Sequence, residues 1–438
     1  MCLKNIFKWT LVYACIIIMF FLFMLLGCLF SSELIEKNVK ESSVILCKEG
    51  LRYQVTSFFN GQLDNYTDVL MINEAYSVDS TNPLYSALSV RKNYKKGQTK
   101  VEEKDTSHEL KSIGLDSYEP DKELSLFLNG KIDTSINYAR YWHGYLSILR
   151  VLLLLFNVSE IRIFFFFVFC VMFICLFILL KRKLGLKYAI IFSSALLLEG
   201  YFYIPFSLQN IPIFLVMMIC SIILLYRINN MKNFSLYIFI VGCCANFFDY
   251  LTVPLITLGM PLYIYILYLI NNKRNGLFDC LKIIIKSIIL WFVGYAVTWF
   301  SKWLLFDLLY DGNLISLAIE QVLYRTVGDV SFGVVQKYGL GMLISFFVFF
   351  TIMLSMIYIF PYYVFVFFKK RYYKKKYINI KEYFVTNSPI FIISLLPIIW
   401  YVILSNHTLS HYWFVCRHML IFLIGFMVIL TDILDSKC

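Results

Sequence analysis

The chain has 438 residues, of which 60% are hydrophobic and only 16% are charged, and its mean hydropathy is +0.72. Soluble domains average about 25% charged residues, so this composition excludes an ordinary soluble protein. The formal net charge is +12, but the basic residues cluster in short connections between apolar stretches. That pattern is typical of loops facing an anionic cytoplasmic leaflet, and it excludes nucleic acid as a partner.

The first apolar stretch runs from Trp9 to Phe30 and follows two lysines, Lys4 and Lys8. It is too long for the core of a signal peptide, and no small-residue cleavage site follows it. We therefore expect a retained transmembrane helix within 1–30, with its amino terminus in the cytoplasm. Nine further apolar segments are predicted to cross the membrane at 161–180, 188–205, 211–226, 234–248, 251–270, 283–300, 340–366, 385–405 and 419–434.

The distribution of basic residues predicts which connections face the cytoplasm. Counted from an inner amino terminus, the inner connections carry every Lys/Arg cluster, whereas the outer connections 206–210 and 249–250 carry neither residue. The longer outer loops, 301–339 and 406–418, carry few. The sequence thus predicts an all-α polytopic protein of the plasma membrane, with about ten transmembrane helices, nine of them in 161–438, and both termini cytoplasmic.

The connection 31–160 is predicted to be a large extracytoplasmic loop. Its residues 31–140 hold 17 acidic and 14 basic residues, so this part is close to neutral. The apolar segment 141–156 could be read as another span, but inserting it would move every later basic cluster outside. We therefore expect an amphipathic helix at the outer interface. Within the loop, Pro120 to Leu128 reads as a short helix that ends at Asn129-Gly130.

Two carboxylates of this loop are candidates for a general base. Asp68 and Glu74 lie in a segment of moderate hydrophobicity, and a carboxylate near a membrane-embedded substrate can deprotonate a sugar hydroxyl. The alternative is that both are solvated loop carboxylates.

A second candidate feature is the aromatic stretch 138–145, which contains Arg140 and His143. Cations at headgroup depth can bind a lipid phosphate or pyrophosphate, and aromatic rings can stack on sugars. The alternative is that the stretch only anchors a helix at the membrane surface.

The stretch 405–418 concentrates three of the five histidines in one outer loop, together with Arg417. His407 and His411 would share one face of a helix, as two metal ligands do. No carboxylate lies in the stretch, so contact with a phosphate group or a structural role at the interface is favoured over metal binding.

Several polar residues lie within or at the edges of the predicted spans: Glu199, Asn246, Asp249 and Lys302. Such groups are costly at membrane depth and usually face a cavity, although structural pairing explains them equally well. The sequence contains no nucleotide-binding or zinc-protease motif, so ATP-driven transport gains no support.

Five stretches resemble the GT-C superfamily of polytopic glycosyltransferases, which use polyprenyl-phosphate sugars, and particularly its uncharacterised bacterial cell-envelope members. The stretches are NYTDVLMINEAY at 65–76, YARYWHGYLSILR at 138–150, FFDYLTVPLITLG at 247–259, GYAVTWFSKW at 294–303 and SNHTLSHYWFVCRH at 405–418. In that superfamily the first outer loop carries amphipathic helices and an acidic residue that activates the acceptor, with cations nearby that stabilise the departing lipid phosphate.

The resemblance implies Asp68 as the catalytic base, with Glu74 as second choice. It implies four ligands for the substrate phosphate: Arg140, His143, Lys302 and Arg417. The paired acid that usually follows the first helix of the family is missing, because Glu33 and Glu36 are separated by two residues and Asp68 lies far downstream.

The function implied is transfer of a sugar, with inversion, from a polyprenyl-phosphate donor to a cell-envelope glycan or lipid at the outer face. The alternatives are a polysaccharide polymerase or ligase, and a transporter or flippase of lipid-linked glycans. The sequence leaves open whether a divalent metal takes part.

Overall fold

The computed structural model describes residues 2–55, 61–93, 120–131, 135–272, 276–310, 313–327, 333–369 and 385–436. The described residues form helices, a few short 3-10 turns and one small antiparallel ladder. The protein is therefore all-α in architecture, as the sequence predicts.

Ten apolar helices correspond to the ten segments expected to cross the membrane. Six are long and apolar enough to do so: α1 (Cys2–Cys28), α7 (Val158–Lys183), α9 (Ile211–Arg227, extended by a 3-10 turn), α12 (Leu277–Tyr310), α14 (Gly333–Lys369) and α18 (Met419–Ser436). Four are shorter: α8 (Leu186–Leu198), α10 (Phe234–Phe248), α11 (Ile256–Asn271) and α15 (Ser388–Ile403). A membrane-embedded helical protein is thus supported, whereas the count of ten spans remains a prediction.

The described part of the connection between α1 and α7 contains five α-helices and a two-stranded ladder. The helices are α2 (Glu36–Glu49), α3 (Asn65–Tyr76), α4 (Pro83–Ser89), α5 (Pro120–Leu128) and α6 (Tyr145–Leu153). Strand β1 (Arg91–Asn93) pairs antiparallel with β2 (Ser135–Asn137). The bounds of α5 are those predicted, and Gly130 after it has a φ of +66°, a left-handed conformation typical of a helix C-terminus.

The segment 141–156 forms a helix only over α6, and its polar residues face the protein. Arg150 is fully buried, where its guanidinium donates to the carbonyls of Gly27 (2.7 Å) and Phe30 (2.6 Å). These carbonyls lie at the end of α1, where a helix leaves its last acceptors without partners. Arg150 therefore joins α6 to α1. The amphipathic helix expected at the membrane interface would instead have exposed its polar residues to the headgroups.

Helices α10 and α12 pack with their backbones unusually close. A Cβ atom added at Gly242 would clash with the carbonyl oxygen of Trp291, and one at Gly294 would clash with that of Phe239. Small residues at such crossings allow helices in membranes to associate through close backbone contact. This packing fixes α10 and α12 relative to each other, and residues of the candidate site lie on these helices or directly after them.

The described parts of the later connections predicted to lie outside contain three further short helices and a 3-10 turn. They are α13 (Leu314–Val327), α16 (Ser405–Ser410), α17 (Tyr412–Val415) and the 3-10 turn Cys416–His418 that leads into α18. Helix α13 packs on α12 and α16. Segments that are distant in sequence therefore meet at one end of the bundle.

Candidate functional site

Asp68 is completely buried, and both oxygens of its carboxylate have protein partners. Oδ1 accepts from the backbone N–H of Gln209 (3.0 Å) and the hydroxyl of Ser207 (3.3 Å). Oδ2 accepts from the backbone N–H of Leu208 (2.9 Å) and from Arg162 (3.4 Å). Burial raises the pKa of Asp68 to about 6, while Arg162 and the two N–H groups oppose that rise, so the carboxylate is ionised at neutral pH.

Arg162 extends this arrangement into a network between helices. Its Nη1 donates to both carboxylate oxygens of Glu49 at 2.8 Å, and its Nη2 donates to the side chain of Asn65 at 3.1 Å. Glu49 ends α2, Asn65 begins α3 and Arg162 lies on α7. The network therefore fastens α2 and α3 to α7, and it accounts for the burial of Asp68 without a catalytic role.

Glu74 has a different environment on the same helix. Its Oε2 accepts from the hydroxyls of Tyr250 (2.6 Å) and Tyr145, and it lies 3.3 Å from Nδ1 of His143. Its Oε1 is also buried but has no hydrogen-bond partner among the described residues. An unpartnered buried carboxylate oxygen is costly to the fold, which makes it a candidate functional atom.

The backbone around Glu74 is strained at two non-glycine residues. His143 has a φ of +58° and Leu251 has a φ of +66°, and both lie in the left-handed region that such residues rarely adopt. His143 contacts Glu74 directly, and Leu251 follows Tyr250. Strain of this kind tends to concentrate at functional sites.

Contacts on both ring nitrogens fix the orientation of the His143 imidazole. Nε2 lies 2.9 Å from the carbonyl oxygen of Tyr138, which can only accept, so this nitrogen carries a hydrogen. Nδ1 lies 2.8 Å from the hydroxyl of Tyr145. His143 thus belongs to the Glu74 cluster, and the prediction that it binds a phosphate remains untested.

A narrow cleft lies beside this cluster. Its lining residues are Arg140, Tyr141, Trp299, Trp303, Ala318, Gln321, Val322 and Arg325. The ring of Tyr141 connects the cleft with the Glu74 cluster. Its centroid lies 5.7 Å from that of Tyr250 in the cluster, and the ring stacks at 5.6 Å on Trp299 in the cleft wall. The Glu74 cluster is therefore in contact with one aromatic residue of the cleft wall, Tyr141.

Two arginines from different parts of the chain line this cleft. The indole N–H groups of Trp299 (2.5 Å) and Trp303 (2.9 Å) both donate to the backbone carbonyl of Arg140, which fixes that residue on α12. The Arg140 guanidinium lies 5.2 Å from the centroid of the Tyr138 ring. Arg325 reaches the cleft from α13. Two arginines on one cleft are a residue pair suited to a phosphate or pyrophosphate.

The other two predicted phosphate ligands have protein partners. Lys302 is fully buried, donates to the carbonyl of Ala87 at 3.1 Å and lies 5.2 Å from the centroid of the Trp142 ring. Arg417 is 1% exposed and donates to the carbonyls of Trp413 (2.9 Å) and Gln62 (3.1 Å). Neither residue lines the cleft described above.

The predicted polar residues of the bundle are all buried or partly buried. Glu199 lies within electrostatic reach of Arg417, and Asn246 is 3% exposed. Asp249 accepts from the backbone N–H of Thr252 at 3.0 Å, and burial raises its pKa to about 7. Its role in the structure is to hold the turn that carries Tyr250.

His407 and His411 are neighbours, with ring centroids 4.8 Å apart. His407 contacts Arg325 and the carbonyl of Leu251. Among the described residues, no group of three or more His, Cys, Asp or Glu side chains is placed to hold a metal ion.

Sequence reasoning missed several residues of this site. Tyr145, Tyr250 and Trp299 lie inside the stretches that carry the family resemblance, but they were not singled out. Arg325 is the only Lys or Arg on α13, which also carries a single acid, and that isolation was the available signal.

Comparison with known proteins gives no relative, because no family model, curated protein or solved structure matches this chain.

Proposed function

We propose that the protein is a membrane glycosyltransferase that moves a sugar from a polyprenyl-phosphate donor to a cell-envelope glycan or lipid. The observation that carries this proposal is Oε1 of Glu74, which is buried without a hydrogen-bond partner among the described residues, in an aromatic cluster that contacts Tyr141 in the wall of a cleft with two arginines. A base, stacking surfaces for a sugar and cations for a phosphate are thereby brought together.

In this proposal Glu74 replaces Asp68 as the preferred base. Glu74 accepts the proton of an acceptor hydroxyl at Oε1, while Tyr145 and Tyr250 hold its Oε2 in place. The acceptor oxygen forms a bond to the anomeric carbon as the bond from that carbon to the lipid phosphate breaks, and the configuration inverts.

The departing group is a lipid phosphate that carries negative charge. Arg140 and Arg325 are proposed to neutralise this charge, because both residues line the cleft and arginine remains protonated at any physiological pH. Preorganised charges of this kind stabilise a transition state without reorganising during the reaction. His143 then orients Tyr145 and Glu74 and does not bind the phosphate itself.

The proposed topology places this site on the outer side of the plasma membrane. Ten helices would cross the membrane, with both termini cytoplasmic and 31–160 outside. Contacts between segments predicted on the same side support this arrangement. For example, Lys187, in a connection predicted to lie inside, pairs with Asp432 and Asp435 at the end of the last predicted span, which is also expected on the inner side.

The decisive test is sugar transfer by Glu74→Gln. Membrane vesicles containing the wild type or the variant are given radiolabelled sugars on polyprenyl phosphate, and label in membrane lipid and glycan is counted. Loss of a general base lowers the rate by about 10²-fold to 10⁴-fold, and a loss in this range is expected for Glu74→Gln. Tyr85→Phe, whose hydroxyl contacts Asn137 away from the cleft, is the matched control.

Transfer at the wild-type rate by Glu74→Gln would contradict the role of Glu74. The same assay, run with pyrophosphate-linked oligosaccharides, tests the polymerase or ligase alternative, which the paired arginines also suit. Added EDTA tests the divalent metal that the sequence left open. If the wild type transfers nothing from any donor, the transporter alternative is tested by Glu199→Gln and Asp249→Asn in a lipid-flipping assay.

A further inference from the structure

Two short outer helices are fastened together by three consecutive residues on each. Helix α16 supplies Ser405, Asn406 and His407, and α13 supplies Tyr324, Arg325 and Thr326. The contacts are Ser405 Oγ to the Thr326 carbonyl (2.6 Å), Asn406 Nδ2 to the Tyr324 carbonyl (3.0 Å) and Arg325 Nη1 to His407 Nδ1 (2.6 Å). Only the contact of His407 reaches a side chain that lines the cleft.

The hydrogen bonds of His407 determine which ring nitrogen carries the hydrogen. Nε2 lies 2.9 Å from the carbonyl oxygen of Leu251, which only accepts, so Nε2 donates. The guanidinium of Arg325 only donates, so Nδ1 accepts from it. The ring is 3% exposed, and the geometry requires the neutral tautomer with its hydrogen on Nε2.

These two contacts link opposite sides of the candidate site. Arg325 belongs to the wall of the cleft, and Leu251 follows Tyr250, whose hydroxyl binds Glu74. The opposite end of α13 is also held, because Asp307 accepts from the backbone N–H groups of Leu314 (2.7 Å) and Ile315 (2.9 Å). With the helix fixed at both ends, the remaining freedom of Arg325 is that of its own long side chain.

We propose that His407 is a positioning residue that aims the Arg325 guanidinium into the cleft by accepting one of its hydrogens at Nδ1. Loss of this acceptor removes a contact that restricts the rotamers of the long arginine side chain, so the cation is held less firmly where the phosphate of the substrate binds. This proposal rests on the proposed function, in which Arg325 contacts that phosphate.

Two amide substitutions separate the nitrogens of His407. In His407→Asn the side-chain oxygen lies where Nδ1 was, so the acceptor for Arg325 is kept and the contact with Leu251 is lost. In His407→Gln the amide nitrogen can reach the carbonyl of Leu251, but the acceptor at the Nδ1 position is lost. If His407 acts through Arg325, only the second variant is impaired.

Binding of polyprenyl phosphate is measured by quenching of tryptophan fluorescence in purified protein, since Trp299 and Trp303 line the cleft. A lost hydrogen bond to a charged group corresponds to about a tenfold change in affinity. We expect Kd to rise about tenfold in His407→Gln, and by less than about threefold in His407→Asn, which keeps that bond. In the transfer assay the same variants should show the change in donor KM with little change in kcat.

Asn406→Ala is the matched control, because it removes a neighbouring contact with α13 but not the one to Arg325. A purely structural role predicts that this control and both His407 variants weaken binding equally, and that result would overturn the proposal. Against an Arg325→Ala background the two His407 variants should bind alike, and a remaining difference would also overturn it. If the variants bind polyprenyl phosphate in the expected pattern but the protein transfers no sugar, the positioning role is upheld and the proposed function is rejected. If the protein transfers sugar but the two His407 variants bind polyprenyl phosphate equally, the proposed function is upheld and the positioning role is rejected.

Discussion

Replacing Asp68 by asparagine is expected to lower the free energy of unfolding by about 3 kcal/mol. Each carboxylate oxygen accepts from one backbone N–H, that of Gln209 on Oδ1 and that of Leu208 on Oδ2. An asparagine presents an oxygen to only one of them, so its amide nitrogen opposes the other donor whichever way the side chain is turned.

The magnitude follows from these contacts. A buried N–H left without an acceptor costs about 1–3 kcal/mol. The charge of Arg162 loses one partner as well, although its pair of bonds to Glu49 at 2.8 Å remains and limits the loss. The sum is therefore near 3 kcal/mol, below the roughly 3–5 kcal/mol that follows complete loss of a buried ionic partner.

Glu74→Gln provides the contrast on the same helix. Its amide oxygen can replace Oε2 and accept from Tyr145 and Tyr250, while the amide nitrogen takes the position of Oε1, which has no partner among the described residues. The new amide nitrogen therefore does not face another hydrogen-bond donor. We expect the free energy of unfolding of Glu74→Gln to differ from that of the wild type by less than about 1 kcal/mol.

The assay is thermal unfolding of the detergent-purified proteins, with the yield of membrane-inserted chain as a second measure. For a chain of 438 residues, a loss of 3 kcal/mol corresponds to a fall of about 3 °C in Tm. Asp68→Asn should show this fall and Glu74→Gln should not. If Asp68→Asn melts like the wild type and yet loses sugar transfer, the reasoning is refuted and Asp68 is the base.

Three further predictions concern packing and charge. Arg150→Leu should cost at least about 3 kcal/mol, because it leaves buried carbonyls without donors, whereas Arg150→Lys should recover part of the loss in Tm. Gly242→Ala should lower Tm, because the added Cβ would press against the Trp291 carbonyl. Gly341→Ala should not, because a Cβ added there has no atom within 4 Å. Equal Tm values for the two variants would refute the close packing of α10 and α12. Burial raises the pKa of Asp249 to about 7, so the folded state favours its protonated form, and its contribution to stability is lost as pH rises from about 4 to 7. Asp249→Asn should remove this part of the pH dependence of Tm between pH 5 and 8, and an unchanged profile would contradict the assignment.

Much of the helical architecture follows from local features of the sequence. Each of the ten apolar segments coincides with a helix, since apolar length and the need to satisfy backbone hydrogen bonds in lipid are properties of a single segment. The bounds of the helix Pro120–Leu128 follow from Pro at its start and Gly130 after its end, and these signals also act within a few residues.

The site, in contrast, was decided by tertiary structure. Asp68 and Glu74 are carboxylates six residues apart on one helix, and the family resemblance placed Asp68 first. Their difference comes from partners far along the chain, because Leu208 lies 140 residues from Asp68 and Tyr250 lies 176 residues from Glu74. Whether a buried carboxylate is fully paired or keeps one oxygen free depends on how distant segments pack, and no local pattern encodes that. The same holds for Arg325, whose place in the cleft depends on a helix that the sequence presented only as part of an outer loop.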